Sequence, residues 1–134
     1  MNRAVFFDRD GVLNKLIYRD SNYYSPRDIK NFVLYKDAAK VTEAVRNKGY
    51  LSIIISNQPD ISRGNIDKAL LNKFTQTLLD ELIIDDIFYC THDDSDFCTC
   101  RKPAPGLLMR ASKKWNIDLL KSYMVGDTWK DLGA

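Results

Sequence analysis

The sequence predicts an α/β fold in which a parallel β-sheet carries helices on its faces. Three observations support that expectation. Short apolar runs that barely alternate, such as YLSIII (residues 50–55), read as strands buried on both faces. Between them lie segments with apolar residues at helical spacing. The polar residues best suited to chemistry gather directly after the strand-like runs, where open α/β sheets bind ligands.

Taken in order, AVFF (residues 4–7) is the first strand, ended by DRDG. Asp37 is placed to cap a helix with Ala38, Val41 and Val45 on one face and Gly49 just past its end. YLSIII is the second strand, followed by the loop SNQPDISRG. A helix capped near Asn65 carries Ile66, Leu70, Phe74, Leu78 and Leu82 along one stripe. DIFYC is the third strand, PGLLMRASKKW the third helix and SYMVGD a fourth strand buried on both faces. Residues 18–28, polar and containing Ser, Asn and Pro, read as a surface loop near the end of the first strand. No repeat or linker divides the 134 residues, so one domain is expected.

Composition narrows the function classes. The 20 basic residues are scattered among 18 acidic ones, which argues against a basic nucleic-acid-binding stripe. No apolar run approaches the roughly 20 residues that span a bilayer, so no membrane partner is expected. MNRAVFFDRDG runs straight into a strand instead of reading as a signal peptide, and a cytoplasmic protein is expected.

Four strand ends carry, in order, Asp8 and Asp10, then Ser56-Asn57-Gln58, then a Cys/His segment leading to Arg101-Lys102-Pro103, and finally Gly126-Asp127. Side chains two apart on a strand share a side, so Asp8 and Asp10 can face one site. Asp-Gly is equally good turn chemistry, and both readings stand on spacing alone. Asp127, if its strand lies alongside, brings a third carboxylate, and such a cluster needs a cation or protons to offset repulsion. Oxygen-only ligands suit Mg²⁺, which retains water and favours phosphate substrates.

All three cysteines and the single histidine fall between residues 90 and 100. Cys90, His92, Cys98 and Cys100 supply three thiolates and one imidazole, the closed N/S set of structural Zn²⁺. Buried free cysteines and a redox pair are the alternatives, but the segment has no C-x-x-C and neither explains the confinement. The zinc is expected to order a polar loop and fix where Arg101 and Lys102 begin.

FFDRDGVLN, IIISNQ, CRKP and MVGDTWKDL, in this order at strand ends, resemble the four motifs of the haloacid dehalogenase superfamily of phosphatases. Together with SNQPDISRG and CTCRKPAPG they resemble its small histidinol-phosphate and heptose-bisphosphate phosphatase branch, over essentially the whole chain. The resemblance implies a Rossmann-like sheet and a Mg²⁺-dependent phosphomonoesterase working through an aspartyl-phosphate. In that reading Asp8 is the nucleophile and Asp10 the general acid and base. Ser56 and Asn57 hold phosphoryl oxygens, Lys102 supplies a positive charge, and Asp8, Asp10 and Asp127 hold Mg²⁺. Gln58 is a candidate substrate contact. Arg101 either grips a second anionic group or offsets the charge of the zinc site.

The stretches after Asn14 and Asn57 are too short for a separate cap domain, so a small phosphorylated metabolite is expected. Within the branch, the resemblance of SNQPDISRG and CRKPAPGLL implies a sugar phosphate such as heptose 1,7-bisphosphate, with histidinol phosphate the alternative. The resemblance also leads one to expect a further helix and strand after Asp127. Without them the sequence is a fragment, or a neighbouring chain covers that sheet edge, or the protein is marginally stable. A monomer is expected unless the edge is covered, and a catalytically weak zinc-binding domain is the non-enzymatic alternative.

Overall fold

In chain order the elements are β1 (Ala4–Phe7), β2 (Ile17–Arg19), β3 (Asn22–Tyr24), α1 (Ala38–Asn47), β4 (Leu51–Asn57), α2 (Lys68–Glu81), β5 (Asp86–Cys90), α3 (Gly106–Trp115) and β6 (Tyr123–Val125). They are seen in a computed structural model that describes residues 1–90 and 106–126. β5, β4, β1 and β6 form one parallel sheet in that order. β4 joins β1 on one side and β6 joins it on the other. The chain therefore reverses its direction of travel across the sheet at β1, which opens a crevice beyond that strand's C-terminal end.

Strand alternation sorts the core into two layers. Phe7 and Ile54 pack with Ala38, Leu71, Phe74 and Leu78 on one face. Ala4, Phe6, Ile53, Ile55 and Phe88 pack with Leu107, Ala111 and Ile117 on the other. Ile53, Ile54 and Ile55 are completely enclosed, as the unbroken apolar run of β4 requires. Each such side chain contributes about 1.5–3 kcal/mol by burial.

Several boundaries differ from the sequence expectation. α2 is capped by Asp67, whose side chain accepts from the Leu70 N–H, while Asn65 turns back to donate 3.0 Å to Asp60 and closes the preceding loop. Asp37 does precede α1, but its side chain makes no capping bond, and the buried residues there are Ala38 and Thr42, with Val41 exposed. β6 is the edge strand of the described sheet. Only its central residue, Met124, packs inward, and Tyr123 and Val125 are exposed, so it is not buried on both faces.

The segment expected to be a loop contains an antiparallel hairpin, β2–β3, with Tyr18 across from Tyr23 and their ring centroids 5.0 Å apart. Its two-residue turn is Asp20-Ser21, with φ values of 51° and 63°. Turns of this kind normally advertise themselves with Asn-Gly or Asp-Gly. Here neither residue is glycine, which is why the hairpin is hidden in the sequence.

β1 is also tied down at its start. The Asn2 N–H donates to the Asn116 carbonyl, the Asp118 N–H donates to the Asn2 carbonyl, and the Ala4 N–H donates to Ser122 Oγ.

Candidate active site

Asp8 leaves the sheet beside β6, because its N–H donates to the Val125 carbonyl at 2.9 Å. One of its carboxylate oxygens accepts from the Arg9 N–H at 2.8 Å. The strand ends at Phe7, and the N–H groups of Val12, Leu13 and Asn14 all converge on the Arg9 carbonyl. Strand alternation therefore does not hold as far as Asp10. Side-chain partners set the direction of its carboxylate instead.

Those partners are four. Oδ1 of Asp10 accepts from Arg9 Nε at 3.0 Å and from Asn14 Nδ2 at 2.9 Å. Oδ2 accepts from Ser25 Oγ at 2.8 Å and from Gln58 Nε2 at 2.9 Å. Burial works against the charged carboxylate, but the Arg9 guanidinium and the bonds from Asn14, Gln58 and Ser25 outweigh it and hold Asp10 below the usual carboxylate range.

Arg9 is wholly enclosed. Its guanidinium lies 5.3 Å from the ring centroid of Phe32, 5.4 Å from that of Phe74 and 5.8 Å from that of Tyr89. A buried charge among ring faces is tolerated because it is paired: Nη2 is 2.9 Å from Asp10 Oδ1 and donates to Gln58 Oε1 at 2.9 Å.

Ser56 and Asn57 end β4 next to this cluster. Ser56 Oγ accepts from Gln58 Nε2 at 2.9 Å, and the Gln58 N–H reaches across to the Cys90 carbonyl at 2.7 Å. Gln58, expected among the substrate contacts, is only 1% exposed. Its amide is taken up by Arg9, Asp10 and Ser56, so it braces the site from within.

A cleft of about 210 Å³ opens beside the hairpin, with Ile17, Arg19, Tyr24, Ser25, Arg27 and Asn31 in its lining. Arg27 stacks 5.2 Å from the Tyr24 ring centroid and pairs with Asp60 at 3.4 Å, linking the hairpin side of the cleft to the loop after β4.

The structure therefore gathers Asp8, Asp10, Ser56, Asn57 and Gln58 at adjoining strand ends. Cys90 is the buried last residue of β5. His92, Cys98, Cys100, Arg101, Lys102 and Asp127 lie outside the described residues, and with them most of the expected Zn²⁺ shell and part of the expected Mg²⁺ set. Among the described residues, no three His, Cys, Asp or Glu side chains are grouped as a metal shell, and no helix is long and apolar enough to cross a membrane. Three residues of the cluster were not singled out in the sequence: Arg9, Asn14 and Ser25. Arg9 and Asn14 lie inside the quoted FFDRDGVLN motif, but Ser25 is brought in by the hairpin and has no local signal.

A parallel sheet with a carboxylate pair at the tip of its switch-point strand and a serine at the tip of the next is the arrangement of a haloacid dehalogenase-like phosphatase. The comparisons agree. The family described as polynucleotide kinase 3 phosphatase matches residues 3–130. The D-glycero-beta-D-manno-heptose-1,7-bisphosphate 7-phosphatase of Haemophilus ducreyi is 36% identical over 98% of this chain and 76% of its own length. The enzyme of the same name from Helicobacter pylori is 33% identical over 99% of this chain and 77% of its own. Among solved structures, the D,D-heptose 1,7-bisphosphate phosphatase of B. bronchiseptica, complexed with magnesium and phosphate, superposes with a TM-score of 0.84 at 26% identity, covering 98% of this chain and 73% of that one. The chain belongs to this family of haloacid dehalogenase-like phosphatases, and it is a phosphatase.

Proposed function

We propose that this phosphatase removes a phosphate from a phosphorylated heptose, the 7-phosphate of heptose 1,7-bisphosphate, in the cytoplasm. The observation that carries the reading is the juxtaposition of Asp8, Asp10 and Ser56 at the tips of β1 and β4, in a chain that shares a third of its residues with enzymes named for that reaction. The resemblance makes Asp8 the nucleophile. Its carboxylate oxygen bonds to phosphorus as the bond from phosphorus to the sugar oxygen breaks, giving an aspartyl-phosphate. Asp10 gives a proton to the departing oxygen and takes one from the water that then attacks phosphorus, releasing phosphate and regenerating Asp8. Ser56 and Asn57 hold phosphoryl oxygens, and Lys102 balances their charge.

Hard oxygen donors at the tip of β1 fit Mg²⁺, which Asp8, the backbone carbonyl of Asp10 and Asp127 would hold. When bound, that ion neutralises phosphoryl charge and keeps Asp8 ionised. Cys90 with His92, Cys98 and Cys100 is a donor set suited to a structural Zn²⁺ that orders the segment before Arg101. Elemental analysis should find one zinc per chain. In this reading Arg101 would bind the second phosphate of a bisphosphate.

The test is phosphate release with and without Mg²⁺ across heptose 1,7-bisphosphate, histidinol phosphate and nucleotides. Turnover is expected on the heptose, with Mg²⁺, and is expected to vanish in Asp8→Asn. A preference for histidinol phosphate would replace the substrate. Undiminished turnover by Asp8→Asn would remove the mechanism.

A further inference from the structure

Asp10 has all four of its acceptor positions occupied, so a leaving-group oxygen can reach it only where a present partner gives way. The four partners are not equivalent. Arg9 and Asn14 are fully buried, and Gln58 nearly so. Gln58 is further held by Ser56 and Arg9, and Asn14 by a second bond to the Lys15 carbonyl. Their amide and guanidinium donors are locked by packing. Ser25 differs on both counts. It is only partly buried, its hydroxyl rotates about one bond, and it lines the open cleft beside the hairpin. It also comes from a different part of the fold, just after β3, so its bond joins the hairpin to the tip of β1.

We infer that Ser25 is a positioning residue for the acid–base step: its hydroxyl aims Oδ2 of Asp10 toward the cleft and is the one donor exchanged for the oxygen of the leaving sugar. The leaving group therefore sits on the hairpin side of Asp10, and the hairpin's seating sets the direction of proton delivery. This rests on the reading of Asp10 as the general acid, and the experiment separates the two.

The measurement compares heptose 1,7-bisphosphate, whose sugar oxygen needs a proton to leave, with para-nitrophenyl phosphate, whose phenolate leaves without one. General acids contribute typically 10²–10⁴-fold, and loss of aim forfeits part of that, so Ser25→Ala should lower kcat/KM on the heptose, which reports the steps up to aspartyl-phosphate formation, by about 5–20-fold. On the aryl phosphate kcat/KM should stay within about twofold, because binding and nucleophilic attack are untouched and the later attack of water on the intermediate common to both substrates does not enter kcat/KM. Ser25→Thr, which keeps the hydroxyl, should recover most of the loss, and thermal melting of both variants shows that the fold persists. Equal losses on both substrates, or no loss on the heptose, would overturn the inference. Asp10→Ala is the control. If it shows the leaving-group-dependent loss and Ser25→Ala does not, the inference alone fails. If Asp10→Ala shows none, the acid assignment fails and takes the inference with it.

Discussion

Arg9→Met tests the buried pair on which the carboxylate cluster is built. The arginine is completely enclosed and its partner's side chain is 11% exposed, so neither charge is relieved by water when the other is removed. Breaking one half of such a pair costs about 3–5 kcal/mol. Methionine refills much of the apolar volume between Phe32, Phe74 and Tyr89, so a net loss of about 3 kcal/mol is expected. Against a total stability of about 5–15 kcal/mol the variant stays folded. Urea titration should show a lower midpoint at unchanged slope, and melting a decrease of about 10 °C. Turnover should also fall by about 10–100-fold, because Asp10 loses its charged partner and Oδ1 keeps only Asn14. The discriminating step is a cycle with Asp10→Asn. With no carboxylate left to strand, Arg9→Met should cost at least about 1 kcal/mol less in that background. Equal costs in both backgrounds, or a single variant within about 1 kcal/mol of wild type, would refute the coupling.

Gln58→Ala leaves Ser56 Oγ and the Arg9 Nη2 donor short of a partner and should cost about 1–3 kcal/mol. Its kcat should drop while KM stays within about twofold, and a large rise in KM would return Gln58 to the substrate contacts. Asp86 accepts from Lys114 Nζ at 2.7 Å and from Trp115 Nε1 at 2.8 Å. Burial pushes its carboxyl up, but these bonds prevail and hold it below the usual carboxylate range. A depressed folded value stabilises above the unfolded one, near 3.9, and the contribution disappears as pH falls through the folded value. Asp86→Asn should therefore lose about 1 kcal/mol near neutrality, a modest figure because Lys114 is largely solvated, and the gap should close between about pH 5 and pH 2 in urea titrations. Ser21→Gly should raise stability by about 1 kcal/mol, read as a higher melting temperature, because φ of 63° is unstrained only for glycine.

The sheet was legible because its strands are dense in apolar residues on both faces, as Ile53–Ile55 show, and because α2 repeats its apolar residues without interruption. β6 misled only in its burial: an apolar run announces a strand but not how much of it the neighbouring elements cover. The helix start at Asp67 was displaced because Asn65 and Asp67 are both good caps, and the choice depends on Asp60, five residues before Asn65, which claims the asparagine. Asp8, Asp10 and Ser56 were readable from their place after strands. Arg9 was not, since nothing local says that a charged residue between two carboxylates will fold inward beneath three rings. Ser25 was beyond reach, because its partner lies 15 positions away and meets it only through a turn with no glycine to announce it.

The attachment of Asn2 to Trp115, 113 positions later, bears on how the protein is made. A ribosome adding about 5–20 residues per second delivers that partner on the order of ten seconds after the first strand has emerged. During that interval β1 can zip only to β4, and its other border stays raw. Asp8 and Asp10 are thus synthesised among the first residues yet acquire their full surroundings among the last, leaving a window in which chaperones or a wrong strand can compete for the same edge.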